Sequence, residues 1–98
     1  MRDNFTLVAK IEAKEEHRET IKQALLNIIE PTLKEEGCLL YSLHQDRNNP
    51  NLFMFYEIWG TKKLWEAHNV SPHILAHKLA TDGMMSEFKL FQLSKLTR

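Results

Sequence analysis

The chain has 98 residues with 13 basic and 13 acidic side chains, so its formal charge at neutral pH is zero. That length fits one domain with a thin core, because so short a chain buries only about 60–65% of the surface it exposes when unfolded. The balanced charge has no basic stripe for nucleic acid, the apolar fraction of 43% excludes disorder, and no apolar run nears the ~20 residues of a membrane span.

Residues 5–13 alternate. Phe5, Leu7, Ala9, Ile11 and Ala13 share one face, and Thr6, Lys10 and Glu12 share the other, which predicts a strand with one apolar side. Over 15–35 the period changes. Ile21, Ala24, Leu25, Ile28, Ile29 and Leu33 form a helical stripe, with Glu15, Glu16 and Glu19 near its start and Lys34 near its end, as the helix dipole prefers. Pro31 should kink this helix or split off a short last turn, and Gly37 is a natural stop. Residues 38–47 alternate again, and Asn48-Asn49-Pro50-Asn51 is a turn cluster. A third strand over 52–59 then makes a hairpin with the second. Thr61 can cap a short helix over 62–69. Ser71-Pro72 marks the start of another, running to about 82, where Gly83 can end it. Residues 87–96 read as a fourth strand.

The order strand, helix, strand, strand, helix pair, strand is the ferredoxin-like βαββαβ arrangement: an α+β fold whose antiparallel sheet carries its helices on one face. Residues 1–98 read as a single domain with its core at about 5–96. The third strand has a consequence for assembly. Phe53, Phe55 and Trp59 are on one face and Leu52, Met54, Tyr56 and Ile58 on the other, so both sides are apolar. An antiparallel sheet with helices on one side normally turns polar residues to water on its second side. A second copy packed sheet to sheet is the simplest cover, and roughly 800 Å² per partner would be an ordinary contact. The expectation is a homodimer. The residues Met1 to Leu7 hold no apolar leader core, so a cytoplasmic location is expected by exclusion.

Read together, several segments resemble a known family. They are Phe5-Thr-Leu-Val-Ala-Lys-Ile11, Pro31-Thr-Leu-Lys-Glu-Glu-Gly-Cys38, Tyr41, Gln45-Asp46, Pro50, Phe53, Phe55, Tyr56-Glu57-x-Trp59, His68 and Ser71-Pro72-His73. The set is similar to the antibiotic biosynthesis monooxygenase domain family, including its quinol monooxygenase and autoinducer-processing branches, over about residues 5–96. The resemblance implies a dimeric α/β barrel with a pocket between each sheet and its own helices. It implies oxidation of a small aromatic or quinol-like substrate by dioxygen without flavin, haem or metal. One branch instead isomerises a small phosphorylated sugar. A haem-degrading branch of the same fold uses an asparagine on the first strand, with a tryptophan and a histidine on the helices. Here Ala9 and His68 stand in the first two places and His77 is about one position off, which disfavours haem chemistry.

The resemblance makes His68 the first choice for a catalytic base, since cofactor-free oxygenation needs one to generate an electron-rich phenolate or carbanion, and histidine titrates near neutral pH. Its competing role is to tether the helix junction by a hydrogen bond. His73, at a helix start, could meet an anionic substrate group. His73 and His77 have the i, i+4 spacing of a metal face, but no third ligand is evident and no metal or other cofactor is expected. Glu57 sits in an otherwise apolar row, so its carboxyl must be paired or protonated. Trp59, Trp65 and His44 complete the candidate binding residues, with core or interface packing as the alternative for the two tryptophans. Met84 and Met85, beside Gly83, could cover a pocket. Cys38, the single cysteine, reads as a small core residue, and no internal disulfide is possible. Two other functions compete. One is an isomerase for a phosphorylated metabolite, drawing a cation from Lys10, Arg47 or Lys78. The other is a non-enzymatic dimer that binds a small ligand.

Overall fold

A computed structural model describes residues 4–97. Met1 to Asp3, part of the stretch read above for a leader, and Arg98, the last residue of the expected domain, lie outside the described residues. Strand β1 (Phe5–Ala13) occupies the middle of the sheet, between β3 (Leu52–Trp59) and β4 (Met85–Leu93), and β2 (Cys38–Gln45) extends it beside β3. The order β2-β3-β1-β4 is antiparallel throughout. This is the α+β, ferredoxin-like sheet that the alternating periods predict. Because paired residues share a face, Leu7 opposite Glu57, Ala9 opposite Phe55 and Ile11 opposite Phe53 form one continuous inner surface. The helices α1 (Arg18–Asn27), α2 (Ile29–Leu33), α3 (Lys62–Asn69) and α4 (Pro72–Ala80) add Ile21, Leu25, Ile28, Trp65 and Ile74 to that core.

The first helical segment is divided as Pro31 predicts: α1 ends at Asn27, the chain breaks at Ile28, and α2 is a short last turn. A 3-10 turn at Glu15–His17, outside that expectation, precedes α1. Proline has no N–H to give the carbonyl four residues back, and its ring collides with that carbonyl, here that of Asn27. The helix therefore restarts at Ile29, with Pro31 in its first turn. The α3 cap is as predicted: Thr61 Oγ1 accepts from the Leu64 N–H at 3.1 Å. Ser71 differs. Its hydroxyl donates to the His68 carbonyl at 2.7 Å, closing the end of α3 and making no side-chain bond to the α4 amides.

The last strand starts two residues earlier than its alternation implies and ends at Leu93. A bulge opposite Glu12 and Ala13 puts Met85 against Ala13 and Glu87 against Glu12, so the period-two pattern is interrupted at Ser86. The strand stops where its partner does, since Leu93 pairs with Thr6 near the start of β1. A second irregularity between Cys38 and Leu40 sends Leu40 to the outer face opposite Ile58.

The outer face is graded. Leu40, Tyr56, Ile58, Val8, Phe91 and Leu93 gather at one end of the sheet, while Lys10, Glu12, His44, Glu87 and Lys89 occupy the other together with Met54 and Leu52. Lys10 and Glu87 form an ion pair there at 3.2 Å. No helix among the described residues is long and apolar enough to cross a membrane.

Candidate functional site

A cavity of about 430 Å³ lies between the sheet and its helices, within the ~300–1,000 Å³ range of small-molecule sites. The sequence makes this space in two ways. Ala9, in the middle of β1, offers only a methyl group where its neighbours offer Leu7 and Ile11. Beside it Phe88 and Leu90 of β4 pair with Ile11 and Ala9 yet remain exposed, because the helices do not reach over that edge. Leu25, Trp65 and Ile74 roof the cavity. Its polar lining includes Glu57, His68, Asn69, His77, Lys78 and Thr81.

His68 is 4% exposed, and Tyr41 and Trp59 wall it in at ring-centroid distances of 5.7 and 4.8 Å. It sits in the last turn of α3, on the face that also buries Trp65. Its Nδ1 is 2.7 Å from Glu35 Oε2. The same oxygen is 2.9 Å from His73 Nε2, which in turn is 3.1 Å from Thr32 Oγ1. Burial holds the His68 imidazole below its usual range, and the hydrogen bond and charge of Glu35 oppose that fall. His68 Nε2 has no hydrogen-bond partner among the described residues.

Glu35, His68 and His73 offer the nitrogen and oxygen atoms that a metal would take, all within 4.8 Å of one another. A tetrahedral ion with bonds near 2.1 Å holds its ligand atoms roughly 3.4 Å apart. Separations of 2.7 and 2.9 Å are instead those of charge-assisted hydrogen bonds. Metal-bound histidines also anchor their second ring nitrogen on a protein acceptor. Neither His68 Nε2 nor His73 Nδ1 has such an anchor among the described residues.

Glu57 faces the cavity from β3. The Trp59 Nε1–H donates to its Oε1 at 3.0 Å. Burial pushes its carboxyl up to about 7, the Trp59 bond restrains the rise, and the charge on Glu35 adds to it. Glu57 is therefore divided between its acid and carboxylate forms near neutral pH. Burial and the nearby Glu57 also push the Tyr41 phenol up, so it stays protonated. His77 lines the cavity as well, and its buried Nδ1 has no partner among the described residues.

Of the residues singled out from sequence, the fold brings Glu57, Trp65 and His68 to the cavity wall. Trp59 is fully buried behind it as the donor to Glu57. His73 stands behind His68, on Glu35. His44 is on the outer face, opposite Met54, and bonds the Ser42 hydroxyl at 3.0 Å. His73 and His77 do not act as a pair, since one ring meets Glu35 and the other the cavity. Of the two methionines, Met85 lines the cavity. Cys38 is half-buried, and burial with the nearby Glu57 and Glu35 pushes its thiol up to about 11, leaving it a poor nucleophile. Sequence reasoning missed Glu35. One signal was present: Glu35 and Glu36 close a helical segment, where the dipole favours cations, so a glutamate there invites a search for another partner.

The family model described as "Antibiotic biosynthesis monooxygenase" matches residues 4–78. The chain is 27% identical over 96 residues to the "Probable quinol monooxygenase YgiN" of Escherichia coli, covering 88% of this chain and 92% of that one. It is 28% identical over 71 residues to an uncharacterized protein of Synechocystis, covering 72% of this chain and 48%, about half, of the relative's length. The crystal structure of PA3566 from Pseudomonas aeruginosa superposes with a TM-score of 0.94 at 33% identity, covering 99% of this chain and 98% of that one.

Proposed function

The chain belongs to the antibiotic biosynthesis monooxygenase family, and from that premise we propose that it oxidises a small phenolic or quinol-like substrate with dioxygen, without a cofactor, in the cavity beneath its helices. The observation that carries this reading is a mostly apolar pocket with a buried histidine and a half-protonated glutamate in its wall. An aromatic ring fits the apolar surfaces. His68 Nε2 takes the proton of a ring hydroxyl, and the resulting phenolate is electron-rich enough to give an electron to dioxygen. For a phenol, one oxygen atom becomes the new quinone carbonyl and the other leaves as water. The ring supplies every electron, and two of its hydrogens leave in that water. Glu57 in its acid form, or protonated His68, returns the proton that lets the water depart.

The name of the Escherichia coli relative supports a quinol as the first substrate to try. Oxygen uptake across a panel of naphthoquinols and hydroxylated polycyclic phenols tests the reading. We expect uptake with at least one, falling ~100-fold or more in His68→Ala; a flat oxygen trace across the panel overturns it. Lys78 in the cavity lining favours a second reading, isomerisation of a phosphorylated metabolite, which would proceed under argon. The protein works as a homodimer on this proposal, with the apolar end of the outer sheet face as the contact. The soluble cell interior is its proposed location.

A further inference from the structure

We propose that Glu35 is the positioning residue of this site, holding the His68 ring in the one tautomer that presents a free Nε2 lone pair to the cavity and stabilising the imidazolium formed when that nitrogen takes a proton. The proposal rests on the reading of His68 as the base, and it adds a residue that lies outside the cavity wall.

Hydrogen-bond roles fix the tautomer. A carboxylate accepts and does not donate, so a ring nitrogen 2.7 Å from it must carry the proton. The His68 proton therefore sits on Nδ1, and Nε2 is left with its lone pair. A histidine without such a partner divides its proton between the two nitrogens, and only one of those forms is a base toward the cavity. The geometry is that of a nucleophile's histidine held by an acid, here a half-buried one, with the substrate hydroxyl in the nucleophile's place.

Glu35 is itself held. The turn that carries it ends at Gly37, whose φ of +84° suits glycine, and the Gly37 carbonyl accepts from the Gly60 N–H at 2.8 Å. Leu64 of α3 packs so tightly on Gly37 that no Cβ fits there. The turn bearing the glutamate and the helix bearing the histidine are therefore docked on each other directly. On its far side Glu35 Oε2 meets His73 Nε2, and His73 is fixed by the fully buried Thr32. Exposure of the side chains rises outward, from 5% at His68 to 17% at Glu35 and 23% at His73. The base is thus dry while its counter-charge touches water. That arrangement leaves the glutamate in touch with water and still lets it act on a buried ring.

The groups facing His68 come from every element around it. They are Glu35 from the turn after α2, Tyr41 from β2, Glu57 and Trp59 from β3, and His73 and Lys78 from α4. Glu35 is the one that both touches the ring and favours its charged form; His73 and Lys78 oppose that form.

The test compares wild type with Glu35→Gln, which keeps the shape and the acceptor but removes the charge, and with Glu35→Asp, which keeps the charge. Nitrogen chemical shifts of the histidine rings report tautomer and titration without any substrate. We expect His68 to be the Nδ1–H form in wild type, to titrate about one pH unit or more lower in Glu35→Gln, and to recover part of that shift in Glu35→Asp. In oxygen uptake we expect kcat to drop on the order of tenfold in Glu35→Gln with KM nearly unchanged, and the acid limb of the pH profile to move with the His68 titration. An Nε2–H tautomer in wild type, or identical His68 titration in wild type and Glu35→Gln, overturns the proposal whatever the enzyme does to quinols. The expected titration shift in a protein that consumes no oxygen upholds the positioning role and removes the proposed reaction instead.

Discussion

Replacing Glu57 by glutamine should make the protein more stable at alkaline pH and leave it unchanged at acid pH. The carboxyl is pushed up to about 7 in the fold, from an ordinary value of 4.5. Between those two values the folded chain holds a proton that the unfolded chain has lost, so stability falls as pH rises through this window. The shift corresponds to about 3 kcal/mol at full extent, of which about 2.5 kcal/mol develops between pH 5 and pH 8. Glutamine carries no titrating proton, and its amide oxygen still accepts the Trp59 N–H, so packing and the 3.0 Å bond survive. Urea unfolding of both proteins at fixed concentration, from pH 4 to pH 9, measures the difference directly, and His68 and His77 cancel because both chains contain them. The two stability curves should meet below about pH 4 and diverge steadily until about pH 8. Parallel curves would refute the reasoning, and so would a wild type that gains on the variant as pH rises.

Two further perturbations probe the parts that hold the site. Gly37→Ala should cost about 2–5 kcal/mol, the sum of a left-handed backbone and a Cβ that would overlap Leu64. Gly83→Ala, at φ +77° with nothing within 4 Å, should cost only the backbone share of ~1–2 kcal/mol; equal losses in thermal or urea unfolding would remove the Leu64 contact from the account. Tyr56→Lys places a charge in the apolar end of the outer face, and sedimentation equilibrium should show a wild-type dimer and a variant whose association is weaker on the order of tenfold or more. A wild type that stays monomeric, or a variant that associates as well as wild type, contradicts the proposed contact.

The fold was legible because its periods are clean where they matter. Leu7, Ala9 and Ile11 alternate, Ile21, Leu25 and Ile28 do not, and that contrast alone separates strand from helix. Legibility failed where one residue is inserted: the bulge at Ser86 hides the start of β4, whereas the short last turn that Pro31 splits off was readable from its missing N–H. The site was legible in its types but not in its convergence. Parity along β3 places Glu57 with Phe53, Phe55 and Trp59, and the structure adds only that Trp59 is its donor. His44 has the same chemistry as His68, but its parity, opposite to Tyr41 and Leu43, puts it on the other face, and the register with Met54 makes that the outer one. Glu35 is 33 residues from the histidine it meets, and no local pattern reports a contact across that distance.

Glu35 and Glu57 show why residue type was not enough. One touches His68 and the other shares its cavity wall, and they differ in solvent. Glu57 is 3% exposed, so burial outweighs its one donor and drives it toward the acid form. Glu35 reaches water and has two histidines on one oxygen, and its negative charge favours the imidazolium of His68 and the protonated form of Glu57. A single negative charge at the edge of the core thus biases a base and an acid in the cavity toward holding protons. Removing it should make His68 a weaker base and Glu57 a stronger acid together. For a reaction that first takes a proton from the substrate and later returns one to oxygen, both changes act against turnover. That is the physical reason to place the control of this site in the turn before Gly37, and not in the cavity wall.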